Sequence, residues 1–321
     1  MTKTKVLITG SGGFIFSNFV RHMLYYYANK YSLVSIDKIA NPKNLHNIYA
    51  NKGHSFYMAD VTDVHIINNI FELEKPDVVI HAAAESNVQD SLDNPWLFVN
   101  NNVLGTQVII DACLKHSVNK LIYVSTDEVY GSAGKNDSPW KETAVLNPRN
   151  PYSATKVSAE SLVKAASNTF GLKYNIVRMC NNFGQRQSEK NLIPKIIKNI
   201  LNKEKIPIHG DGSDTREWIY VDDACSAIYN VLEKASANEI YNISAGYEFS
   251  NLEVFFEVCK IMEAGQELVT FVKDWRPGMD TRYSTDASKI KALGWLPQFK
   301  FRDGLKETCQ WYTRNKWVFS K

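Results

Sequence analysis

The amino-acid sequence predicts an α/β fold, a doubly wound parallel β-sheet followed by a smaller C-terminal α/β substrate domain. Three observations predict it. Short apolar runs alternate with helix-like stretches at roughly 25–45-residue spacing. The first run ends on a glycine-rich turn and the second on an aspartate. Beyond about Cys180 the pattern breaks into shorter segments, punctuated by Gly210-Asp211-Gly212, Arg276-Pro277-Gly278 and Gly294-Trp295.

Lys5–Thr9 (KVLIT) reads as the first strand, followed by Gly10-Ser11-Gly12-Gly13 and a helix to about Ala28. The Tyr25-Tyr26-Tyr27 triplet is expected at the end of that helix, packed against its neighbours. Leu33–Asp37, Val78–His81, Leu121–Ser125 and Asn175–Met179 read as further strands. Runs apolar throughout are expected where helices cover both faces of a parallel sheet, with right-handed crossovers between strands. The expected division is a cofactor domain over 1–180 and a substrate domain over 181–321, with part of 217–243 returning to the main sheet.

With 37 basic and 34 acidic residues the net charge is +3, too balanced for a nucleic-acid surface. No apolar run is long enough for a signal-peptide core or a membrane span. Cys113, Cys180, Cys225, Cys259 and Cys309 are scattered and odd in number. That pattern fits reduced thiols in a cytoplasmic compartment and argues against a structural metal.

A strand running into Gly10-x-x-Gly13 and then a helix is a phosphate-binding turn. Glycines let the backbone approach a pyrophosphate, and the helix N-terminus supplies unpaired N–H groups. Asp37 closes the second strand, where a carboxylate accepts hydrogen bonds from ribose hydroxyls and repels a 2′-phosphate, favouring NAD over NADP. Together these make the sheet Rossmann-type. Phe16 stands where the third glycine of the fingerprint falls, so the helix is expected to be displaced or the strand opposite to be small.

Tyr152 and Lys156 share one helix face at i, i+4 spacing. A lysine ammonium beside a phenol lowers its pKa, and such a tyrosine can take a hydroxyl proton while hydride leaves the same carbon. On its own the spacing also fits an ordinary surface pair. Ser125-Thr126-Asp127-Glu128-Val129-Tyr130-Gly131 ends a predicted parallel strand, where ligands bind in open α/β sheets. Thr126 can hydrogen-bond the same hydroxyl as Tyr152. Asp127 and Glu128 set two carboxyl groups side by side, which can be driven apart into one acid and one base.

The segments Thr9–Ser17, Ala82–Ser91, Ser125–Gly131, Asn150–Lys156, Asn181–Gly184, Ile206–Val221 and Arg276–Asp286, in this order, resemble the extended short-chain dehydrogenase/reductase superfamily. Within it they resemble the dTDP-glucose 4,6-dehydratases and their UDP-glucose relatives, over almost the whole chain. The resemblance implies an NAD-dependent hydro-lyase acting on nucleoside-diphosphate glucose, with a deoxysugar such as rhamnose as destination. It implies that Tyr152, helped by Thr126 and Lys156, takes the 4-hydroxyl proton, that Glu128 removes the C5 proton, and that Asp127 protonates the departing 6-hydroxyl. It implies cofactor contacts from Gly10, Gly13, Phe14, Ile15, Asp37, Lys38, Asp60, Val61, Ala82, Ala84, Tyr152 and Lys156. It further implies substrate contacts from Ser86, Asn87, Thr126, Asn181, Asn182, Lys190, Asn191 and Leu192. Pro207, Ile208, Arg216, Asn251, Arg276 and Tyr283 complete that set, the two arginines clamping the diphosphate. A homodimer is implied, through a four-helix interface of Trp96–Lys115 and Pro151–Thr169.

The sequence departs from the family at several points. Asn87 and Asp90 replace a histidine and an arginine, Glu189-Lys190-Asn191 is shifted by one residue, and Met279 stands where histidine is common. Two other readings stay open: an NAD-dependent nucleotide-sugar 4-epimerase or reductase, and a non-catalytic NAD-sensing relative. Asp127-Glu128 argues against the first, which eliminates no water. Intact Thr126, Tyr152 and Lys156 argue against the second.

Overall fold

In the computed structural model, which describes residues 3–49, 51–274 and 280–319, the strands follow one another as β1 (Thr4–Thr9), β2 (Tyr31–Asp37), β3 (His54–Met58), β4 (Val78–His81), β5 (Lys120–Thr126), β6 (Tyr174–Met179), β7 (Asn181–Phe183), β8 (Ile206–His209), β9 (Thr215–Tyr220), β10 (Glu239–Ile243), β11 (Tyr247–Ser250) and β12 (Val269–Val272). The helices are α1 (Phe14–Tyr26), α2 (Val64–Glu74), α3 (Val88–Asp93), α4 (Pro95–Phe98), α5 (Gly105–Lys115), α6 (Pro151–Phe170), α7 (Leu192–Asn202), α8 (Val221–Lys234), α9 (Asn251–Met262), α10 (Ser288–Ala292) and α11 (Phe301–Arg314).

Seven strands form one parallel sheet in the order β10-β6-β5-β4-β1-β2-β3. The order reverses between β1 and β4, which opens a ligand crevice at the carboxyl ends of the strands. Side chains alternate between two buried layers, because successive residues of a strand face opposite ways. Val6 and Ile8 of β1 join α1 and α8 in one core, while Leu7 joins α2, α5 and α6 in the other. This is the Rossmann-type α/β architecture. β10 is recruited from beyond α8 and pairs with β6, Ile243 opposite Met179. The remaining strands form two small sheets, β11-β9-β7 and β12-β8. Among the described residues no helix is long and apolar enough to cross a membrane.

Two local expectations are corrected. Tyr25 and Tyr26 are not packed away but exposed, at 82% and 61%, their rings meeting each other and His22 of the same helix; Tyr27 stacks on Tyr229 with ring centroids 3.7 Å apart. Phe16 turns into the core beside Phe19, and the small residues of that cluster, Ala224, Cys225 and Ala227, lie on α8 rather than on a strand opposite.

Candidate active site

β1 ends at Thr9, whose hydroxyl oxygen accepts the N–H groups of Ala82 and Ala83, both at 3.1 Å, and so ties β1 to the end of β4. Gly10 follows with φ +75°, and a Cβ there would sit 2.8 Å from the Ala83 nitrogen. Only glycine satisfies both constraints. α1 then begins at Phe14 and Ile15 with no side chain capping its N-terminus, which leaves N–H groups for an anion. The Asp37 carboxylate accepts from Gly12 N at 2.8 Å and Ile39 N at 2.7 Å, so it shapes the turn as well as facing it. Burial pushes its pKa up, opposed by those two N–H bonds. Lys38 pairs with Glu85 at 2.9 Å and reaches Asn101 at 3.0 Å. Asp60 accepts from the Thr62 backbone and hydroxyl, Val61 is buried, and Ala82 and Ala84 are half-buried beyond β4. A glycine cradle, an uncapped helix start and a carboxylate on β2 fit a dinucleotide.

Thr126 ends β5 and caps the short turn that follows. Its hydroxyl oxygen accepts from Glu128 N at 3.2 Å and donates to Asp127 Oδ1 at 3.3 Å. Asp127 is 1% exposed, and its Oδ2 has no hydrogen-bond partner among the described residues. Burial, then the neighbouring Glu128 and Glu217, push its carboxyl well above the usual range, which favours its protonated form. Burial pushes Glu128 up to about 7, opposed by Asn150 and the Arg216 guanidinium. Two adjacent carboxyl groups are thus set apart by their surroundings, Asp127 facing two further carboxyl groups and Glu128 facing Asn150 and Arg216.

α6 opens with Asn150 as its cap. The Asn150 oxygen accepts from Ser153 N at 2.8 Å, the Ser153 hydroxyl oxygen accepts from Asn150 N at 3.3 Å, and Pro151 occupies the first turn. That start sends Tyr152 towards Thr126 and the two carboxyl groups, all of which influence its phenol. Lys156 Nζ donates to the Val124 carbonyl at 2.6 Å and lies over the Tyr123 ring. Burial lowers the Lys156 ammonium to about 7. The expected lowering of the Tyr152 pKa by Lys156 is not what this chain shows. Burial raises the phenol, Glu128 and Asp127 raise it further, and the ammonium is engaged by Val124 instead.

The other residues expected to contact substrate lie on several separate elements. Arg216 donates to the Thr215 and Asp280 carbonyls at 2.9 and 2.8 Å and lies over the Tyr283 ring, whose hydroxyl donates to Asp280 at 2.7 Å. Both Arg216 and Tyr283 influence Glu128. Asn182 is buried, donates to the Cys180 carbonyl at 2.8 Å, and its Oδ1 has no partner among the described residues; Asn181 is half-buried beside it. Ser86 is exposed, and Asn87 caps α3 by accepting from Asp90 N at 3.0 Å. Lys190 is turned to Asp90, 3.1 Å away, so the acidic residue standing in place of the family's arginine already has a cation. Asn191 and Leu192 start α7, Pro207 and Ile208 lie on β8, and Asn251 opens α9. Arg276 and Met279 lie outside the described residues.

Several residues of the site were not read from the sequence. Asn150 donates to Glu128 Oε2 at 3.3 Å, and its signal was available, an asparagine just before a helix-starting proline. Glu160, one turn beyond Lys156, forms a buried two-pronged pair with Arg178 at 3.0 and 2.6 Å and accepts from the Ser125 hydroxyl at 2.7 Å. Arg149 pairs with Asp280 at 3.3 Å across 131 positions, which nothing local announces.

The GDP-mannose 4,6-dehydratase family model matches residues 7–308, and the chain belongs to that family. The low-salt glycan biosynthesis protein Agl12 of Haloferax volcanii is 41% identical to it over 310 residues, 96% of this chain and 98% of that protein. The dTDP-glucose 4,6-dehydratase of Haemophilus influenzae is 37% identical over 334 residues, 97% and 98% of the two chains. Among solved structures, DesIV, a dTDP-glucose 4,6-dehydratase from Streptomyces venezuelae with NAD bound, superposes with a TM-score of 0.92 at 36% identity, covering 98% of each chain.

Proposed function

We propose that the chain is an NAD-dependent dTDP-glucose 4,6-dehydratase, converting the sugar nucleotide to its 4-keto-6-deoxy form with loss of water. The observation that carries the reading is the Asp127-Glu128 pair beside Thr126 and Tyr152, Asp127 bonded by Thr126 and faced by further carboxyl groups, Glu128 bonded by Asn150 and pushed up only to about 7. A 4-epimerase or reductase needs neither. The relatives named above support the substrate class.

Residues 1–180 hold the cofactor through the Gly10–Gly13 turn, the start of α1, Asp37 and the Asp60-Val61 segment. Residues 181–321 hold the nucleotide sugar, with Arg216 on the diphosphate and β8 against the nucleoside. When bound, NAD supplies the hydride acceptor at C4, and the same hydride is returned to C6. Tyr152 accepts the 4-hydroxyl proton as its phenolate, a form that the positive ring of the bound cofactor would favour against the burial that raises the phenol, with Thr126 hydrogen-bonded to the same oxygen. The 4-ketone acidifies the C5 proton, and Glu128 removes it. Asp127 gives its proton to the 6-hydroxyl as the C6–O bond breaks and one water leaves, and Glu128 returns its proton to C5 as the hydride reaches C6. Lys156, anchored on Val124 O, places its positive end among Tyr123, Glu160 and the reacting edge.

Comparing dTDP-glucose with UDP-glucose as substrates tests the reading, with the alkali-induced chromophore of 4-keto-6-deoxy sugars as readout. Product from neither, or net accumulation of reduced cofactor, overturns it. The two bases differ by one methyl, worth about 1–3 kcal/mol of discrimination, so both are expected to turn over. The exposed apolar residues Trp96, Leu97, Val99 and Leu104, on the run from α4 into α5, support a homodimer through these helices and α6. A monomeric mass at micromolar concentration overturns that. The expected compartment is the cytoplasm, and the product's destination a deoxysugar such as rhamnose.

A further inference from the structure

Strand register brings a third carboxyl group to the site. β5 and β6 run parallel with Thr126 opposite Met179, so the next residues outward, Asp127 and Cys180, are neighbours. β7 and β9 run parallel with Asn181 opposite Trp218, so Cys180 and Glu217 are neighbours in turn. Asp127, Cys180 and Glu217 therefore lie in a row across the carboxyl edge of the main sheet and the start of the second. All three are buried, at 1%, 4% and 2% exposure. Glu217 is fastened from behind, its Oε2 accepting the Thr285 N–H at 2.9 Å and the Thr285 hydroxyl at 2.6 Å. The Asp127 oxygen Oδ2 has no partner among the described residues.

We propose that Glu217 is a positioning residue for the elimination step, a buried carboxylate that keeps the catalytic proton on Asp127 until the 6-hydroxyl departs. The proposal rests on the dehydratase reading, in which Asp127 is the acid.

The surroundings of both groups agree with this. Asp127 is faced by Glu128 on its own turn, Tyr152 on α6, Cys180 after β6, and Arg216 and Glu217 on β9. Arg216 is the cation in this set, and it is turned to the Asp280 carbonyl and the Tyr283 ring. Glu217 is faced by Cys180, Ser244, Thr285, Glu248 and Arg282, and the Arg282 guanidinium already holds Glu248 through two hydrogen bonds at 2.8 and 2.9 Å. Burial brings Glu217 up to about 7, so above that pH it adds a negative charge behind Asp127. A negative charge there opposes ionisation of Asp127. Glu128 points instead to Asn150 and Arg216 and does not need the same help. Separating the acid from the base then falls to a residue 90 positions down the chain.

The test is a carboxyl-carbon NMR titration of the full-length, NAD-loaded protein, with signals assigned through Asp127→Asn and Glu217→Gln. In the unmodified protein the Asp127 signal should move in two steps, the earlier one tracking Glu217 near pH 7. The amide oxygen of Glu217→Gln still accepts both Thr285 bonds. In that variant the Asp127 midpoint should fall by about one pH unit or more. The alkaline limb of the dehydration rate should fall with it, because Asp127 must be protonated to act, while exchange of the C5 hydrogen keeps its pH profile. A one-step Asp127 curve in the unmodified protein, or an unmoved midpoint in Glu217→Gln, overturns the proposal. If Glu217→Gln does not fold, the two-step curve measured in Glu128→Gln, where the adjacent carboxyl no longer titrates near 7, decides instead. A protein that shows the two-step curve and does not dehydrate either glucose nucleotide keeps the Asp127–Glu217 relation and loses the substrate reading.

Discussion

Asn150 donates its side-chain N–H to Glu128 Oε2 at 3.3 Å from the cap position of the helix that carries Tyr152 and Lys156. One side chain thus starts the catalytic helix and steadies the base on the neighbouring turn. Asn150→Ala removes both functions. Loss of the cap is expected to cost about 1 kcal/mol in a denaturant melt. The Asn150 bond holds the Glu128 pKa down, so its loss raises it. Glu128 acts ionised, and the acidic limb of C5-hydrogen exchange should therefore move to higher pH. A limb that stays in place would show that the contact is purely structural.

Oxidation and elimination separate by mutation. Tyr152→Phe removes the acceptor of the 4-hydroxyl proton and should slow reduction of bound NAD by about 100-fold or more. Glu128→Gln leaves that step open, so reduced cofactor should accumulate on the enzyme with C5 exchange strongly slowed. Asp127→Asn should keep C5 exchange and lose water elimination. Rapid-mixing absorbance and solvent-deuterium exchange read all three. Near-normal dehydration by Glu128→Gln would make the pair structural and favour an epimerase or reductase.

Asp37→Ala should weaken NAD binding and raise tolerance for NADP, measured by titration calorimetry. Because the carboxylate also accepts from Gly12 and Ile39 N–H groups, the substitution should loosen the phosphate turn as well. Equal affinity of the unmodified protein for both cofactors would refute the assignment.

Glu160→Gln leaves the Arg178 guanidinium, 1% exposed, without its anion. Breaking one side of a buried pair is expected to cost about 3–5 kcal/mol in unfolding free energy. Because Glu160 also accepts from Ser125, next to Thr126, residual folded protein should show impaired C4 oxidation. A change within experimental error in the melt would contradict this.

Much of the main sheet was legible because its strands are covered on both faces. Val78–His81 was bounded to the residue, and β1, β2, β5 and β6 to within two residues at each end. β3, His54–Met58, was missed because it is the sheet edge: its residues are half-buried or exposed, so HSFYM carries no apolar run. The small sheets were illegible for another reason. Strands of three or four residues, such as β7 and β8, are too short to show a period. At the site, Thr126, Asp127, Glu128, Tyr152 and Lys156 were visible because each motif lies on one turn or one helix face. Glu217, Asp280 and Arg178 were not, because their partners are brought to them by strand register and loop path rather than by neighbouring sequence.

The return of β10 to the main sheet governs how the protein can be assembled. A chain that stopped near residue 180 would leave β6 as a bare edge, with its row of N–H and C=O groups open to another copy. During synthesis that edge waits until some sixty further residues, from Met179 to Glu239, have emerged. The cofactor half cannot therefore be finished ahead of the sugar half, and neither is a module that could be borrowed alone. Fusion, truncation or circular permutation is best placed where it leaves the β6–β10 seam intact. Nascent chains paused before Glu239 are the species that a chaperone has most reason to hold.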